Sequence, residues 1–328
     1  MKVVVTGATG FLGGKIAERL AKDNRFEVIA TGRDKDKIQK LNENGINASA
    51  GSLEDKEFFF DLTKDAEIIV HSAALSSPWG TYDDFYRANI LATDNVIKAC
   101  KKNNIKRIVH ISTPSIYFDY EDRFNIKEDF LPGKFVNFYA ETKYEAEKSL
   151  NKAVSQGIEL ISLRPRAIVG AGDTTIMPRL LKAQETGKLK IIGDGKNIVD
   201  VTSVSNVVDA VILGIFAKNE ALGEHYNITN GEPILMWELV EKTLNQLGMQ
   251  LNKKHIPFKI GYNIARVLET IAKFTPDYRE PVLTCYSVGI LAKSMTMDIS
   301  KARKLLGYEP KQTNMEAVTE FVKWWRSL

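Results

Sequence analysis

Cysteine is nearly absent from this chain of 328 residues. The two present, Cys100 and Cys285, cannot build a disulfide framework or a four-ligand zinc site, and such sparing use suits a reducing cytoplasm. Histidine is almost as scarce: four residues, scattered, so no metal site is indicated. Long hydrophobic runs are missing too. The longest stretch without Asp, Glu, Lys or Arg is Ile68–Tyr82, 15 residues broken by His71, Pro78 and Gly80, against the roughly 20 apolar residues needed to span a bilayer. Nor is there an excess of one charge. Set against each other, 45 basic and 41 acidic side chains leave +4 without a like-charge block, which predicts no nucleic-acid or anionic-membrane footprint. No low-complexity segment or internal repeat is visible. What remains is globular: 44% hydrophobic and 26% charged residues exclude disorder for most of a length that suits about two domains. A single Lys precedes the first apolar run, which passes straight into a glycine-rich motif, so the N-terminus reads as mature structure.

The first half alternates short β-branched runs with longer amphipathic ones. Lys2–Thr6, Phe26–Thr31, Ala66–His71, Arg107–Ser112 and Glu159–Arg164 read as strands; Leu12–Lys22, Asp36–Asn44, Tyr82–Asn103 and Tyr139–Gln156 read as helices. Continuous apolar strands separated by helices imply an α/β fold, a doubly wound parallel sheet covered on both faces. After Arg164 the alternation weakens. The expectation is a dinucleotide-binding domain over residues 1–168, with 198–228 returning to it, and a smaller interleaved substrate domain from 169–197 and 229–328. Val207–Phe216 and Met236–Leu247 look like buried helices. Lys259–Phe274 reads either as an ordinary amphipathic helix over a core or as a lid or interfacial helix near an apolar substrate or membrane surface.

Gly7-Ala8-Thr9-Gly10-Phe11-Leu12-Gly13 follows the first strand directly and opens a helix. A glycine triplet alone is weak evidence, but this placement is specific. Gly7 permits the tight turn, Gly10 lets backbone N–H groups approach a pyrophosphate, and Gly13 allows the helix to pack on the sheet, with the helix N-terminus facing the phosphates. The expected fold is therefore of the Rossmann kind. Past the second strand, where an NAD site places a carboxylate, stands Gly32-Arg33. Arg33 suits a 2′-phosphate, so NADP is the first choice; Asp34 keeps NAD as the second. Tyr139 and Lys143, four apart, share one helix face, and a nearby ammonium lowers the pKa of a phenol that is otherwise near 10.

With these features the chain resembles the extended short-chain dehydrogenase/reductase family, also called the NAD-dependent epimerase/dehydratase superfamily, along nearly its whole length. The resemblance implies Tyr139 as acid/base, Lys143 as its activator and as a ligand of the nicotinamide ribose, and Thr113 as the group polarising the substrate oxygen. It implies that Asn89 supports the lysine and that Ser72, Ala73 and Ala74 pass along the cofactor. Where the family often has Gly-Asp-Leu at the adenine, this chain has Gly51-Ser52-Leu53 and so departs from that carboxylate. The family's dehydratases carry an Asp-Glu pair where Pro114-Ser115 stands here, which counts against dehydration. Its epimerases carry an Arg where Val199 stands, which weakens a sugar-nucleotide reading and leaves Arg179 or Lys196 to compensate. Ser77-Pro78-Trp79-Gly80, Gly193-x-Gly195-x-Asn197-x-x-Asp200 and Asn206-Val207-Val208-Asp209 resemble the 3β-hydroxysteroid dehydrogenase / 2-alkyl-3-oxoalkanoate reductase branch.

That branch implies an enzyme, an oxidoreductase that interconverts a secondary alcohol and a ketone by hydride transfer. The expected substrate is small and apolar, 3-oxoacyl or sterol-like, with Trp79 and Tyr117 as its contacts. A sugar-nucleotide epimerase that recycles NAD is the alternative, and a non-catalytic redox-sensing binding protein a third reading. A homodimer formed by the Tyr82–Asn103 and Tyr139–Gln156 helices is implied by the resemblance alone. Peripheral membrane contact stays open, and the four histidines, His71 and His110 among them, read as strand or surface residues.

Overall fold

Val3, Val4 and Val5 point alternately to two different apolar layers, and this alternation sets the architecture. The computed structural model describes residues 1–328. Strand β1 (Lys2–Thr6) lies in a seven-stranded parallel sheet with β2 (Glu27–Gly32), β3 (Asn47–Ala50), β4 (Ile68–His71), β5 (Arg107–Ile111), β6 (Glu159–Pro165) and β7 (Glu224–Ile228). The order is β7-β6-β5-β4-β1-β2-β3. Helices α1 (Phe11–Ala21), α2 (Lys35–Glu43), α3 (Lys56–Leu62), α4 (Ala92–Asn103) and α5 (Phe138–Val154) alternate with the strands. After them come α6 (Met177–Glu185), α7 (Val204–Phe216), α8 (Met236–Gln246), α9 (Phe258–Ala272), α10 (Cys285–Ala292) and α11 (Asn314–Trp325).

On one face Val3, Val5, Ile16, Leu20 and Val211 form a core between the sheet, α1 and α7; on the other Val4, Ile69, Val96, Ile108 and Leu150 pack the sheet against α4 and α5. The doubly wound fold read from the sequence is present. Between β1 and β4 the strand order reverses, and a crevice opens beyond their carboxyl ends. The two edge strands have no strong sequence signal: β3 (NASA) is short and half polar, and β7 (EHYNI) sits in a region where alternation had faded.

The second lobe has its own core of Met177, Leu181, Trp237, Val240, Leu244 and Phe321, from α6, α8 and α11. Its small sheet is ordered Ile234–Leu235, Ile198–Val199, Met295–Met297, Arg123–Ile126. The lobe boundary therefore runs differently from the sequence expectation at two places. Residues 123–126 reach out of the first half to pair with Met295–Met297, and Ile198–Val199 belongs to this sheet, so the chain rejoins the large lobe only near Thr202. Beneath the lobe junction, the Arg164 guanidinium meets Glu147 at 2.6 and 2.8 Å, both side chains buried. Removing one partner of such a pair costs about 3–5 kcal/mol, because the other charge stays buried.

Candidate active site

The glycine turn is built by close approach. Gly7 has φ +70°, and a Cβ there would stand 2.8 Å from the backbone of Ala73. A Cβ on Gly13 would lie 2.2 Å from the Gly7 carbonyl oxygen. Gly10 caps α1 without a side chain, and no acid stands in the first turn, so its N–H groups face the crevice unopposed. This cradle fits a dinucleotide pyrophosphate.

Gly7, Thr9, Gly10, Phe11, Leu12 and Gly13 open onto one cleft of about 1620 Å³. Arg33, Ser52, Leu53, Ser72, Ala73, Ala74, Thr113, Tyr139 and Lys143 line the same cleft. The structure thus brings together the whole expected cofactor set. Asp34, the expected NAD carboxylate, is engaged otherwise: it caps α2 by accepting from the Lys37 backbone N–H at 3.1 Å. Lys37, one turn beyond Arg33, also lines the cleft and donates to the Thr9 carbonyl at 3.1 Å. Sequence reading missed it, although a second cation four residues from Arg33 was legible.

Two buried histidines lie under the floor. His71 bonds Thr6 Oγ1 at 2.9 Å and Thr93 Oγ1 at 3.0 Å; burial first, then the Lys143 charge, hold its pKa down to about 3. It is a satisfied strand residue. Asn89 stands in a π-helical segment, Tyr86–Leu91, that leads into α4. Its side chain accepts from Leu75 N–H at 2.8 Å and donates to the Leu75 carbonyl at 3.3 Å and to Thr142 Oγ1 at 3.0 Å. Such π segments recur at functional sites, and this one ties the Ser72–Leu75 loop to the first turn of α5. Asn89 thereby positions the helix of Tyr139 and Lys143 through Thr142, without itself reaching the lysine.

The Tyr139 phenol interacts with the Thr113 and Ser76 side chains. Burial raises its pKa, and those two polar neighbours pull the other way without winning. The expected lowering by Lys143 does not operate in this arrangement. The lysine ammonium instead donates to the Ile111 carbonyl at 2.8 Å and meets His110 Nε2 at 3.1 Å. Burial lowers its own pKa to about 8, with Glu147 opposing. Thr113 Oγ1 accepts from Ser115 N–H at 3.1 Å and donates to Ser115 Oγ at 3.0 Å, which lies 2.7 Å from the Tyr286 hydroxyl. Ser76, Ser115, Tyr286 and Arg166 all line the cleft and escaped the sequence reading, because folding from distant segments assembles them.

Both expected substrate contacts are displaced. Tyr117 is 0% exposed, its hydroxyl donating to Asn227 Oδ1 at 2.8 Å and accepting from Arg164; those two buried groups need it as a partner, so it is core. Trp79 stacks on Tyr278 at 5.0 Å and donates to the Tyr278 carbonyl at 2.9 Å, clipping the 72–81 loop to the 275–284 loop, while its neighbours Ser76, Ser77 and Pro78 face the cleft. In place of aromatics, Met177, Leu180, Ile192, Val240, Leu283 and Leu291 supply an apolar wall. Arg179 forms an ion pair with Glu280 at 2.8 Å, and Lys196 does not reach the cleft.

A glycine cradle at the switch point, beside a Thr–Tyr–Lys set, defines a dinucleotide-dependent enzyme of the Rossmann class. Residues 3–229 match the NAD dependent epimerase/dehydratase family, and the chain belongs to it. It is 33% identical to the 2-alkyl-3-oxoalkanoate reductase of Stenotrophomonas maltophilia (strain K279a) over 94% of this chain and 95% of that one. It is 34% identical to 3beta-hydroxysteroid-dehydrogenase/decarboxylase isoform 1 of Arabidopsis thaliana over 94% of this chain and 75% of that one. The crystal structure of UDP-glucuronic acid 4-epimerase from Bacillus cereus in complex with NAD superposes with TM-score 0.79 at 23% identity, covering 100% of this chain and 99% of that one. That likeness shows the fold. The chain is an NAD(P)-dependent oxidoreductase of the secondary alcohol/ketone branch.

Proposed function

We propose that this enzyme reduces or forms the ketone of an apolar 3-oxoacyl or sterol-like substrate with NADP(H) as cofactor. The observation that carries the reading is the single cleft in which the Thr113–Tyr139 pair meets an apolar wall on one side and the glycine cradle on the other. Bound cofactor supplies or accepts the hydride. Thr113 and Tyr139 hydrogen-bond the substrate oxygen as charge develops on it, and Tyr139, neutral because burial raises its pKa, delivers the proton in reduction. Lys143, held by Ile111 and His110 on the cleft wall, binds the nicotinamide ribose in this reading. Arg33 and Lys37 together favour a 2′-phosphate, and Asp34, which also lines the cleft, has one carboxylate oxygen engaged by the Lys37 backbone N–H.

Three further assignments go with this reading. Both cysteines are free and buried, in keeping with a reducing cytoplasm. The face of α5 and the residues leading into α4 expose Tyr82, Tyr86 and Phe138, with Tyr82 edge-on to Phe138 at 5.5 Å, and a second copy of the chain covers this patch in a homodimer. Along α9, Ile260, Ile264, Val267 and Ile271 stand exposed at spacings of four, three and four, followed by Phe274 at 86% exposure. Leu268, Val282 and Leu283 line the cleft close by, so this stripe rests on a lipid surface from which apolar substrate enters. No helix is long and apolar enough to cross a membrane.

The test is fluorescence titration with NADPH and NADH, then nicotinamide absorbance with steroid, 3-oxoacyl and sugar-nucleotide compounds. Tighter NADPH binding, lost on Arg33→Ala with Lys37→Ala, and turnover with an apolar ketone are expected. Tyr139→Phe should bind NADPH as well as the native enzyme does and lose most turnover. Preference for NADH would put Asp34 at the ribose. Interconversion of a sugar nucleotide on a retained cofactor would move the epimerase reading to the front.

A further inference from the structure

Two arginines leave the carboxyl end of β6 two residues apart and have opposite fates. Arg164 has its guanidinium occupied by Glu147, Tyr117 and the Glu128 carbonyl. Arg166 is 6% exposed, yet its side chain makes no hydrogen bond to any protein group and no ion pair within 4.0 Å, and its buried Nε is without a partner. Its backbone is fixed by Ile228 and Thr202, so the residue is held in place while its guanidinium has no hydrogen-bond or close ion-pair partner, Asp200 acting on it only from farther off. An unpaired buried cation is expensive, and natural folds rarely keep one without a use.

The side chain lines the substrate half of the cleft. Asp200, on the same wall, is the nearest acid to consider as counter-ion. Its carboxylate is committed to the Met297 N–H at 2.7 Å, and it lies beyond ion-pair distance of the guanidinium. Tyr286 feels the Arg166 charge, touches Ser115 at 2.7 Å and is also close enough to Tyr139 to couple to it. Tyr286, Ser115 and Thr113 are thus joined by hydrogen bonds, and Arg166 and Tyr139 line the same cleft.

We propose that Arg166 binds a carboxylate of the substrate, so that the enzyme selects 3-oxo or 3-hydroxy acids over the corresponding neutral compounds. This deepens the reductase reading above and rests on it for the reacting carbon. Arg166 is the buried, unpaired cation of the substrate half, across from the apolar wall, and so matches a monoanionic head group on a hydrocarbon body; Arg179, Lys182 and Lys188, which also line the cleft, are exposed to water. The planar guanidinium takes a carboxylate through two parallel hydrogen bonds. In a 3-oxo acid the carboxylate lies two carbons from the reacting carbonyl, which suits an anion site on the same wall as Tyr139.

The experiment measures kcat/KM for oxidation of a long-chain 3-hydroxy acid and of its methyl ester with NADP, and the affinity of the NADP-loaded enzyme for each. The native enzyme, Arg166→Met and Arg166→Lys are compared. The native enzyme should favour the acid by on the order of 30-fold, the discrimination that a buried ion pair commonly supplies. Arg166→Met should collapse that ratio, chiefly through KM for the acid, and Arg166→Lys should restore part of it. Equal use of acid and ester by the native enzyme overturns the proposal, as does an equal loss on both in Arg166→Met. If neither compound turns over but the acid binds in an Arg166-dependent way, the carboxylate site stands and the reductase reading falls. If the acid binds no better than the ester, the site falls whatever the reaction proves to be.

Discussion

Lys143 carries the clearest pH signature at the scale of single residues. Its pKa lies near 8 because burial disfavours the charge, well below the ordinary lysine value. Below pH 8 it keeps its proton in the fold, and as pH rises through 8 the folded enzyme loses a proton that the unfolded chain still holds. The expected profile of kcat/KM for ketone reduction therefore has a basic limb near pH 8, read from initial rates between pH 6 and 10. The stability contribution runs the opposite way. Over the interval between the folded and the ordinary value the unfolded chain binds more protons, so this one group adds stability as pH rises, up to about 3 kcal/mol for a shift of this size. Thermal melts of Lys143→Met should lack that rise. A flat kcat/KM profile across pH 8 would mean that the lysine does not titrate in the free enzyme.

At the scale of elements, α9 has two faces with different fates. Gly261, Ala265 and Ala272 are buried, and Gly261 and Ala265 turn toward α10 and Ile192, whereas Ile260, Ile264 and Ile271, each one position earlier on the helix, face outward together with Val267. The exposed charges on this helix are Lys259 and Arg266, with Lys273 just beyond its end. The nearly balanced charge of the whole chain conceals this local basic edge; in the proposed lipid contact its stems would reach head groups while the apolar stripe enters the interface. Co-sedimentation with phosphatidylcholine/phosphatidylglycerol vesicles is expected for the native protein. It should drop at least 10-fold in Ile264→Asp with Ile271→Asp, with turnover of a short, freely dissolved substrate retained. Unchanged sedimentation would leave α9 as a plain cover over Ile192, Cys285 and Val288. The π-helical segment at Tyr86–Leu91 is the other element whose form follows its task, since it carries Asn89, which joins the Ser72–Leu75 loop to α5.

The whole molecule is two lobes joined by a cleft, and the aromatic patch of Tyr82, Tyr86 and Phe138 lies outside their cores. In a two-fold dimer the patch meets its own copy, so each substituted side chain counts twice. Light scattering should report twice the chain mass for the native protein and a shift to the single chain for Tyr82→Glu with Phe138→Glu. A native monomer would defeat the assignment. The cofactor half of the cleft was legible in the sequence because its residues sit in short runs: the 7–13 turn, the 72–74 loop and the 139–143 turn are each local, and glycine or spacing marks them. The substrate half was misread where burial decides. Trp79 and Tyr117 are aromatic and near the site in sequence, but Tyr117 serves buried partners on β6 and β7, and Trp79 stacks on a loop 199 residues away.

Local physics explains what the sequence determined by itself. Period-two and helical patterns, the steric need for glycine at 7, 10 and 13, and the one-turn spacing of Tyr139 and Lys143 act within a few residues and require no knowledge of the rest of the chain. Tertiary structure alone decided which charges are answered. Arg164 and Arg166 look alike in the string Arg-Pro-Arg, yet one meets Glu147 from α5 and the other faces the cleft without a partner. Lys143 likewise has its partners chosen by packing: the Ile111 carbonyl and His110, more than 30 residues away, take its ammonium. The interaction energy of a buried charge depends on its neighbours in space and on the loss of water, and the order of residues along a chain specifies neither directly.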